Sequence, residues 1–401
     1  METTAPFDLK ALRRDWIAGT SGEDFYRRVL QVRASLDPGD TACLIQEADP
    51  FAFAVQFFAA AALRLPVVLA NPKWGAREAA QFDHLLQQEA PAAGTILIPT
   101  GGTTGGVKLA IHDWASLEAG ALAVQDFLGG GPVDACCVLP LYHVSGLMQL
   151  LRSFVSGGSI RFDEEDPEGR CLSLVPTQLQ RLMQSPKGIR KLNTAGTVFV
   201  GGAAMPRTVE QKARELKLPV VPVYGMTETA AMIAAVPKQD FLSAPDAGAV
   251  LLGDARVGID PDACIRVHSS SLFKGYHGSA RIDRAEGYRT GDAGWLDEQG
   301  RLHLQGRMDR LINTGGEKVD PAEVEEALLR IDGIAEARVY GEPDEEWGEV
   351  VVAYLKQRTD APRLSEPAIL SSLKQQLSPY KIPKYVRSTT KETDSPDRSH
   401  I

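Results

Sequence analysis

Short apolar runs bounded by turn residues recur along the first half of the chain, with helical stretches between them. They include Thr41-Ala-Cys-Leu-Ile-Gln, Pro66-Val-Val-Leu-Ala, Gly94-Thr-Ile-Leu-Ile-Pro, Ala135-Cys-Cys-Val-Leu-Pro, Val198-Phe-Val-Gly-Gly and Pro219-Val-Val-Pro-Val-Tyr. Such runs have the length and apolar character of buried strands. Residues 1–35 carry Phe25, Val29 and Leu30 at helical spacing, residues 51–63 form a second helix, and Asp113 caps a third that runs to about Phe127. Alternation of this kind predicts an α/β fold, with helices packed on the faces of sheets.

A chain of 401 residues exceeds what one core usually supports, so more than one domain is expected. After residue 245 the composition turns to Gly, Asp and short β-like pieces such as Ala263-Cys-Ile-Arg-Val-His, which predicts a β subdomain to about residue 306. A joint at 307–310 then leads to a small α+β module over 311–387, with a helix at 321–331, and a tail over 388–401. The net charge of −9 supplies no basic field for a nucleic-acid partner. Five cysteines in no ligand spacing, together with the absence of a signal-peptide pattern, predict a reduced, cytoplasmic setting. The most apolar stretch, Phe51 to Leu69, is interrupted by Gln56, Arg64 and Pro66 and reads as a buried helix of the fold, with no membrane span.

Several strands end in loops with chemical potential. Thr100, Gly101, Gly102, Thr103, Thr104, Gly105 and Gly106 precede Val107 and Lys108. Such a loop can turn backbone N–H groups and hydroxyls onto phosphate oxygens, or it can simply be a glycine-rich hairpin turn. It is not a P-loop, because Val107 stands where the lysine belongs and a strand pattern follows. Leu141-Tyr-His-Val-Ser-Gly-Leu places His143 at a strand exit, as a pocket wall or as a packed histidine. Gly201 and Gly202 end a strand where a flat ring could lie on backbone. Tyr224, Thr227 and Glu228 bring a stacking face, a hydroxyl and a hard oxygen ligand within five residues. Asp292 could accept from a ribose diol or serve as a turn aspartate.

In this order, Thr100-Gly-Gly-Thr-Thr-Gly-Gly-Val-Lys, Tyr224-Gly-Met-Thr-Glu-Thr, Tyr288-Arg-Thr-Gly-Asp and Gly306-Arg-Met-Asp-Arg-Leu-Ile-Asn-Thr-Gly-Gly-Glu-Lys-Val resemble the adenylate-forming superfamily of acyl-CoA synthetases, adenylation domains and luciferases. The resemblance implies a large α/β domain with a β subdomain and a small mobile α+β C-terminal domain. It also implies joining a carboxylic acid to ATP and then to coenzyme A, with Mg²⁺. On it, residues 100–108 wrap the β- and γ-phosphates, Gly201, Gly202 and Tyr224 enclose adenine, and Thr227 touches the α-phosphate. Glu228 holds Mg²⁺, Asp292 and Arg307 bind ribose, and His143 walls the acyl pocket. Asp309 is the pivot, and Gly315 and Gly316 meet the pantetheine channel.

Gly-Gly-Val-Lys-Leu-Ala-Ile-His-Asp-Trp and Leu-Tyr-His-Val-Ser-Gly-Leu-Met look like the o-succinylbenzoate-CoA ligases of menaquinone and phylloquinone synthesis. Arg152, His112 and Ser145 are the candidates for the polar wall that a dianionic acid needs. The superfamily usually carries a Gly-Lys pair near the C-terminus. Here Ser378-Pro-Tyr-Lys-Ile-Pro-Lys-Tyr is followed by a Ser- and Thr-rich run in which Lys391 is the one lysine and no glycine occurs. The expectation is a weakened adenylation step beside a more nearly intact thioester-forming step.

Overall fold

The computed structural model describes residues 5–37, 39–101, 106–163, 165, 167–308, 310–314, 317–344 and 347–388. Among the site expectations, Gly102 to Gly105, Asp309, Gly315, Gly316 and Lys391 lie outside these residues.

The first sheet has the order β1 (Cys43–Ile45), β2 (Val67–Leu69), β3 (Thr95–Gly101) and β4 (Val107–Asp113). Its first three strands are parallel, and β4 returns antiparallel beside β3 from Gly101↔Val107 to Thr95↔Asp113. Strands β3 and β4 therefore pair as a β-hairpin, which explains why a strand pattern follows Gly106. Between β1 and β2 runs α2 (Pro50–Ala62), preceded in the chain by α1 (Gly22–Ser35). Nine of its thirteen residues are buried, among them Phe53, Phe57 and Phe58. Asp49 caps α2 through the Ala52 N–H at 2.7 Å and Pro50 occupies the first turn, so the helix starts where sequence chemistry puts it. Five aromatic side chains, Phe7, Trp16, Phe25, Trp114 and Phe154, pack around its Phe58.

The second sheet has the order β11-β10-β9-β8-β7-β5-β6. Its members are β5 (Ala135–Cys136), β6 (Ile160–Arg161), β7 (Cys171–Leu174), β8 (Thr197–Val200), β9 (Val220–Met226), β10 (Ala231–Ala235) and β11 (Val250–Leu251). The strands β5 to β9 are parallel, while β10 and β11 run antiparallel. Three further helices are α3 (Ala76–Gln88), α4 (Trp114–Phe127) and α5 (Val144–Ser156). At α4 Asp113 accepts from the Ser116 N–H at 2.9 Å while Ser116 Oγ accepts from the Asp113 N–H, a reciprocal cap. After residue 245 a third sheet follows, in the order β12 (Arg256–Ile259), β13 (Cys264–His268), β14 (Tyr288–Leu296) and β15 (Leu302–Arg307).

By compactness the chain divides into one unit of residues 1–258, 266–289 and 296–303 and a second of 259–265, 290–295 and 304–401. The second unit contains β16 (Ile312–Thr314), β17 (Glu317–Val319), β18 (Ile334–Asp344), β19 (Gly348–Gln357) and β20 (Tyr385–Ser388) in one sheet. Helices Pro321–Leu329 and Glu366–Lys374 contribute Val324, Leu328, Ile369 and Leu373 to its own core. No helix among the described residues is long and apolar enough to cross a membrane.

Candidate functional site

In the first unit the strand ends gather the expected groups from both sheets. Thr100 and Gly101 finish β3, and Lys108 stands on β4 with its amine 5.4 Å from the centre of the Tyr276 ring. Tyr276 in turn donates its hydroxyl to Glu228 Oε1 at 2.5 Å. Burial first, and the neighbouring Glu228 carboxylate second, push the Tyr276 hydroxyl far above its ordinary pKa, so it stays a donor. Tyr288 stands beside it, hydroxyl to hydroxyl at 3.2 Å. Sequence reasoning passed over Tyr276, because a lone tyrosine in a turn-rich stretch carries no local signal.

Thr227 and Glu228 lie in a 3-10 turn, Thr227–Thr229, that links β9 to β10. Ala230 and Ala231 beyond it adopt positive φ values of 52° and 74°, which residues with a β-carbon rarely do. The bend is held by the Thr229 hydroxyl, which donates to the Ala231 carbonyl and accepts from the Met226 N–H. It is held again by His112 of β4, whose Nε2 lies 2.8 Å from the Thr227 carbonyl. Since a carbonyl can only accept, Nε2 carries the proton and Nδ1 faces Ser116 Oγ at 3.0 Å. Full burial drives the His112 pKa down to about 4, keeping the ring neutral. His112, considered above for the acid wall, spends both nitrogens on the protein itself.

Glu228 is buried and has no ion pair among the described residues. One buried carboxylate without a cation partner fits Mg²⁺, which takes one or two protein oxygens and completes its shell with phosphates and water. No cluster of three or more ligating side chains competes among the described residues.

Gly201 follows β8 so closely against β9 that a β-carbon there would sit 2.6 Å from Val223 Cγ2. Gly202 has φ +80°, and Tyr224 lies nearly buried one residue beyond Val223. The structure thus brings the two glycines and the tyrosine to neighbouring parallel strands. His143 takes the N-cap position of α5 without a side-chain cap bond, and its ring centre lies 4.7 Å from that of Tyr142. Partial burial of the His143 ring, which disfavours its charged form, lowers its pKa.

Along α5, Ser145, Gln149 and Arg152 share one face at i, i+4 and i+7. Arg152 is 3% exposed, and neither Nε nor Nη2 finds an acceptor. Gln149 Oε1 and Ser153 Oγ, both buried, likewise have no partner. The titratable groups that act on Arg152 are Cys171 and Cys137, whose thiols burial raises to about 11 and about 12, so neither offers a compensating charge. Burial lowers the guanidinium itself only to about 10, leaving it charged at neutral pH. A buried, charged arginine with no hydrogen bond among the described residues is costly and calls for an anionic partner.

In the second unit Asp292 and Arg307 meet across β14 and β15, with Nη1 3.3 Å from Oδ1. Arg307 also donates to the Thr290 carbonyl, and Gly291, at φ +74°, lets the guanidinium pass close to the backbone. Asp292 is therefore a strand residue oriented by an arginine and not a turn aspartate. Lys381 and Lys384 are both committed to ion pairs, with Glu323 at 2.6 Å and Asp344 at 2.7 Å.

Comparison with known proteins bears on this arrangement. The family model for AMP-binding enzymes matches residues 84–277, and that for their C-terminal domain matches residues 323–395. The chain belongs to the adenylate-forming superfamily. Among curated members, it is 33% identical to 2-succinylbenzoate–CoA ligase of Bacillus licheniformis over 317 residues, covering 73% of this chain and 65% of that one. It is 31% identical over 303 residues to the enzyme of that name from Listeria monocytogenes, covering 72% of this chain and 64% of that one. The matched region thus spans somewhat less than two thirds of these relatives' length. Among solved structures, o-succinylbenzoate CoA synthetase of Bacillus subtilis with its acyl-adenylate intermediate superposes at TM-score 0.78, with 23% identity over 94% of this chain and 91% of that one. ATP-bound MatB of Rhodopseudomonas palustris gives 0.76, with 22% identity and the same coverage. These superfamily structures share the fold.

Proposed function

We propose that the protein is an AMP-forming acid–thiol ligase that joins an aromatic dicarboxylate, o-succinylbenzoate, to coenzyme A through an acyl-adenylate. The single observation that carries the choice of acid is Arg152, a buried cation with no hydrogen-bond acceptor among the described residues. A monocarboxylate would bring its one charge to the phosphate chemistry and leave Arg152 alone; a second carboxylate supplies the missing acceptors. The curated relatives that bear the o-succinylbenzoate ligase name support the same reading.

In the first half-reaction the acid's carboxylate oxygen attacks the α-phosphorus of ATP and pyrophosphate leaves. Two anions must approach, so neutralising charge at that point is the main task. Lys108 and the hairpin loop are assigned to the β- and γ-phosphates, the Thr227 hydroxyl to the α-phosphate, and Gly201, Gly202 and Tyr224 to adenine. Glu228 would hold Mg²⁺, which supplies Lewis-acid neutralisation of phosphate charge. Tyr276 fixes the Glu228 carboxylate, and His112 fixes the turn beneath it. Asp292, oriented by Arg307, is assigned to the ribose diol. In the second half-reaction the thiol of coenzyme A attacks the acyl carbon and AMP leaves. Neither half-reaction requires an enzyme nucleophile.

The test is coenzyme A-dependent AMP release across a panel of aryl, medium-chain and dicarboxylic acids. o-Succinylbenzoate should exceed its monocarboxylate analogues in kcat/KM by at least tenfold, and R152M should erase that preference. A wild-type panel with no advantage for the second carboxylate would reject the assignment in favour of another aryl or medium-chain acid.

A further inference from the structure

Away from the strand ends that carry the phosphate loop, the first unit holds a cavity of about 390 Å³ lined by Arg64, Gly94, Asp113, Lys274, Arg281 and Arg284, among others. Thr95 and Asp113 mark the opposite end of the β3–β4 hairpin from Gly101 and Val107. Six residues of strand separate the two ends, roughly 20 Å. The cavity is thus removed from the phosphate loop, while Asp113 and Lys274 in its wall adjoin His112 and Tyr276, which brace the Thr227–Glu228 turn.

Its wall is strongly cationic. Asp113 is the one carboxylate lining it, and both of its oxygens are engaged, Oδ1 by the Ser116 N–H and Oδ2 by Lys274 at 2.8 Å. Arg64 and Arg281 have no ion pair among the described residues. Arg284 is braced by donating to the Leu272 carbonyl at 2.6 Å, which leaves its charge uncompensated.

Arg64 adds an independent observation. It follows α2 at φ +55°, with its N–H bonded to the Ala61 carbonyl and the Leu65 N–H bonded to Ala60. This is the helix-ending turn whose left-handed position normally carries glycine. An arginine there bears the penalty of a β-carbon, which outweighs the screened attraction of an exposed charge for the helix end. Its guanidinium passes 3.4 Å from where a β-carbon on Gly94 would sit, and Gly94 donates to the Arg64 carbonyl at 2.7 Å. The side chain is therefore kept at a backbone position that disfavours it and is directed along the cavity wall.

We propose that this cavity binds a polyphosphate anion, with Arg64, Arg281 and Arg284 as its ligands. Guanidinium forks suit the paired oxygens of phosphate groups, and the volume admits more than one phosphate. The anion is either free pyrophosphate or the phosphate end of a small nucleotide.

Titration calorimetry of the full chain with magnesium-free pyrophosphate tests the assignment. A binding component should weaken at least tenfold in R64G and in R281A, and stay within twofold in R363A, a control for net charge. R64G should also melt no lower than wild type, since glycine relieves the left-handed backbone. A parallel titration with adenosine 3′,5′-bisphosphate separates the sources. Tighter binding than pyrophosphate, lost in the same variants, identifies an esterified phosphate; equal or weaker binding identifies the free anion. Identical pyrophosphate titrations in wild type, R64G and R281A, or no binding by wild type at millimolar concentration, would overturn the proposal. A lower melting temperature for R64G would remove the argument from Arg64.

Discussion

Two side chains of the first unit, Arg152 and His112, are buried at a cost that their roles explain. Removing one partner of a paired buried charge normally destabilises, but Arg152 has no carboxylate partner to orphan. Replacing it with an apolar side chain of similar length should then be neutral or stabilising by about 1–4 kcal/mol. Differential scanning calorimetry of R152M checks this, and a clear fall in melting temperature would show that the arginine is satisfied within the fold. His112 makes stability depend on pH. Its folded pKa of about 4 lies below the ordinary value of 6.5, so between these limits the unfolded chain binds a proton that the folded chain refuses. Stability is therefore lost as pH falls from 6.5 to 4, by about 3 kcal/mol from this group alone. Denaturant melts at intervals across that window should show a flatter pH slope for H112Q than for wild type. Equal slopes would place the titration elsewhere.

The β9–β10 hairpin shows how closely an element can be packed for the sake of its loop. Gly225 pairs with Met232, and a β-carbon on it would overlap the Ala231 carbonyl oxygen. G225A should therefore spread the hairpin, destabilise the protein by about 1–3 kcal/mol, and displace Thr227 and Glu228 at its tip. The expected signature is a loss of kcat larger than the loss of folded population; unchanged activity in a stable G225A protein would mean the hairpin tolerates the spread. The elements themselves were largely legible from residue order. Helix α1 lies within the helical stretch expected over 1–35, α2 close to the helix expected over 51–63, and α4 where the capping residue Asp113 puts it; Ser21 and Asp49, which cap α1 and α2, were not read as caps. Helix α3 and the helices Pro186–Thr194 and Arg207–Glu215 went unread because they are polar, with few buried residues each, and tertiary packing on a sheet sustains them. The short strands β16, β17 and β20 went unread for a related reason: three or four residues carry too little periodicity to be distinguished from loop.

At the scale of the whole molecule, the joint expected at 307–310 and the weakened adenylation expected from the C-terminal sequence make separate claims. If Asp309 is the pivot, D309P should slow thioester formation from pre-formed acyl-adenylate at least tenfold more than it slows adenylation. Single-turnover assays of each half-reaction read this, and equal losses would count against the pivot. Wild-type adenylation as fast as thioester formation would likewise remove the expected handicap. Capping signals, glycine-rich loops and the order of motifs act over a few residues at a time, which is why the superfamily and the α/β layering could be named, and candidate site residues proposed, from the chain alone. The partners of those residues could not. That Tyr276 fixes Glu228 across 48 positions, that His112 reaches Thr227 across 115, and that Arg152 finds no carboxylate beside it are long-range results of packing, which local spacing does not encode.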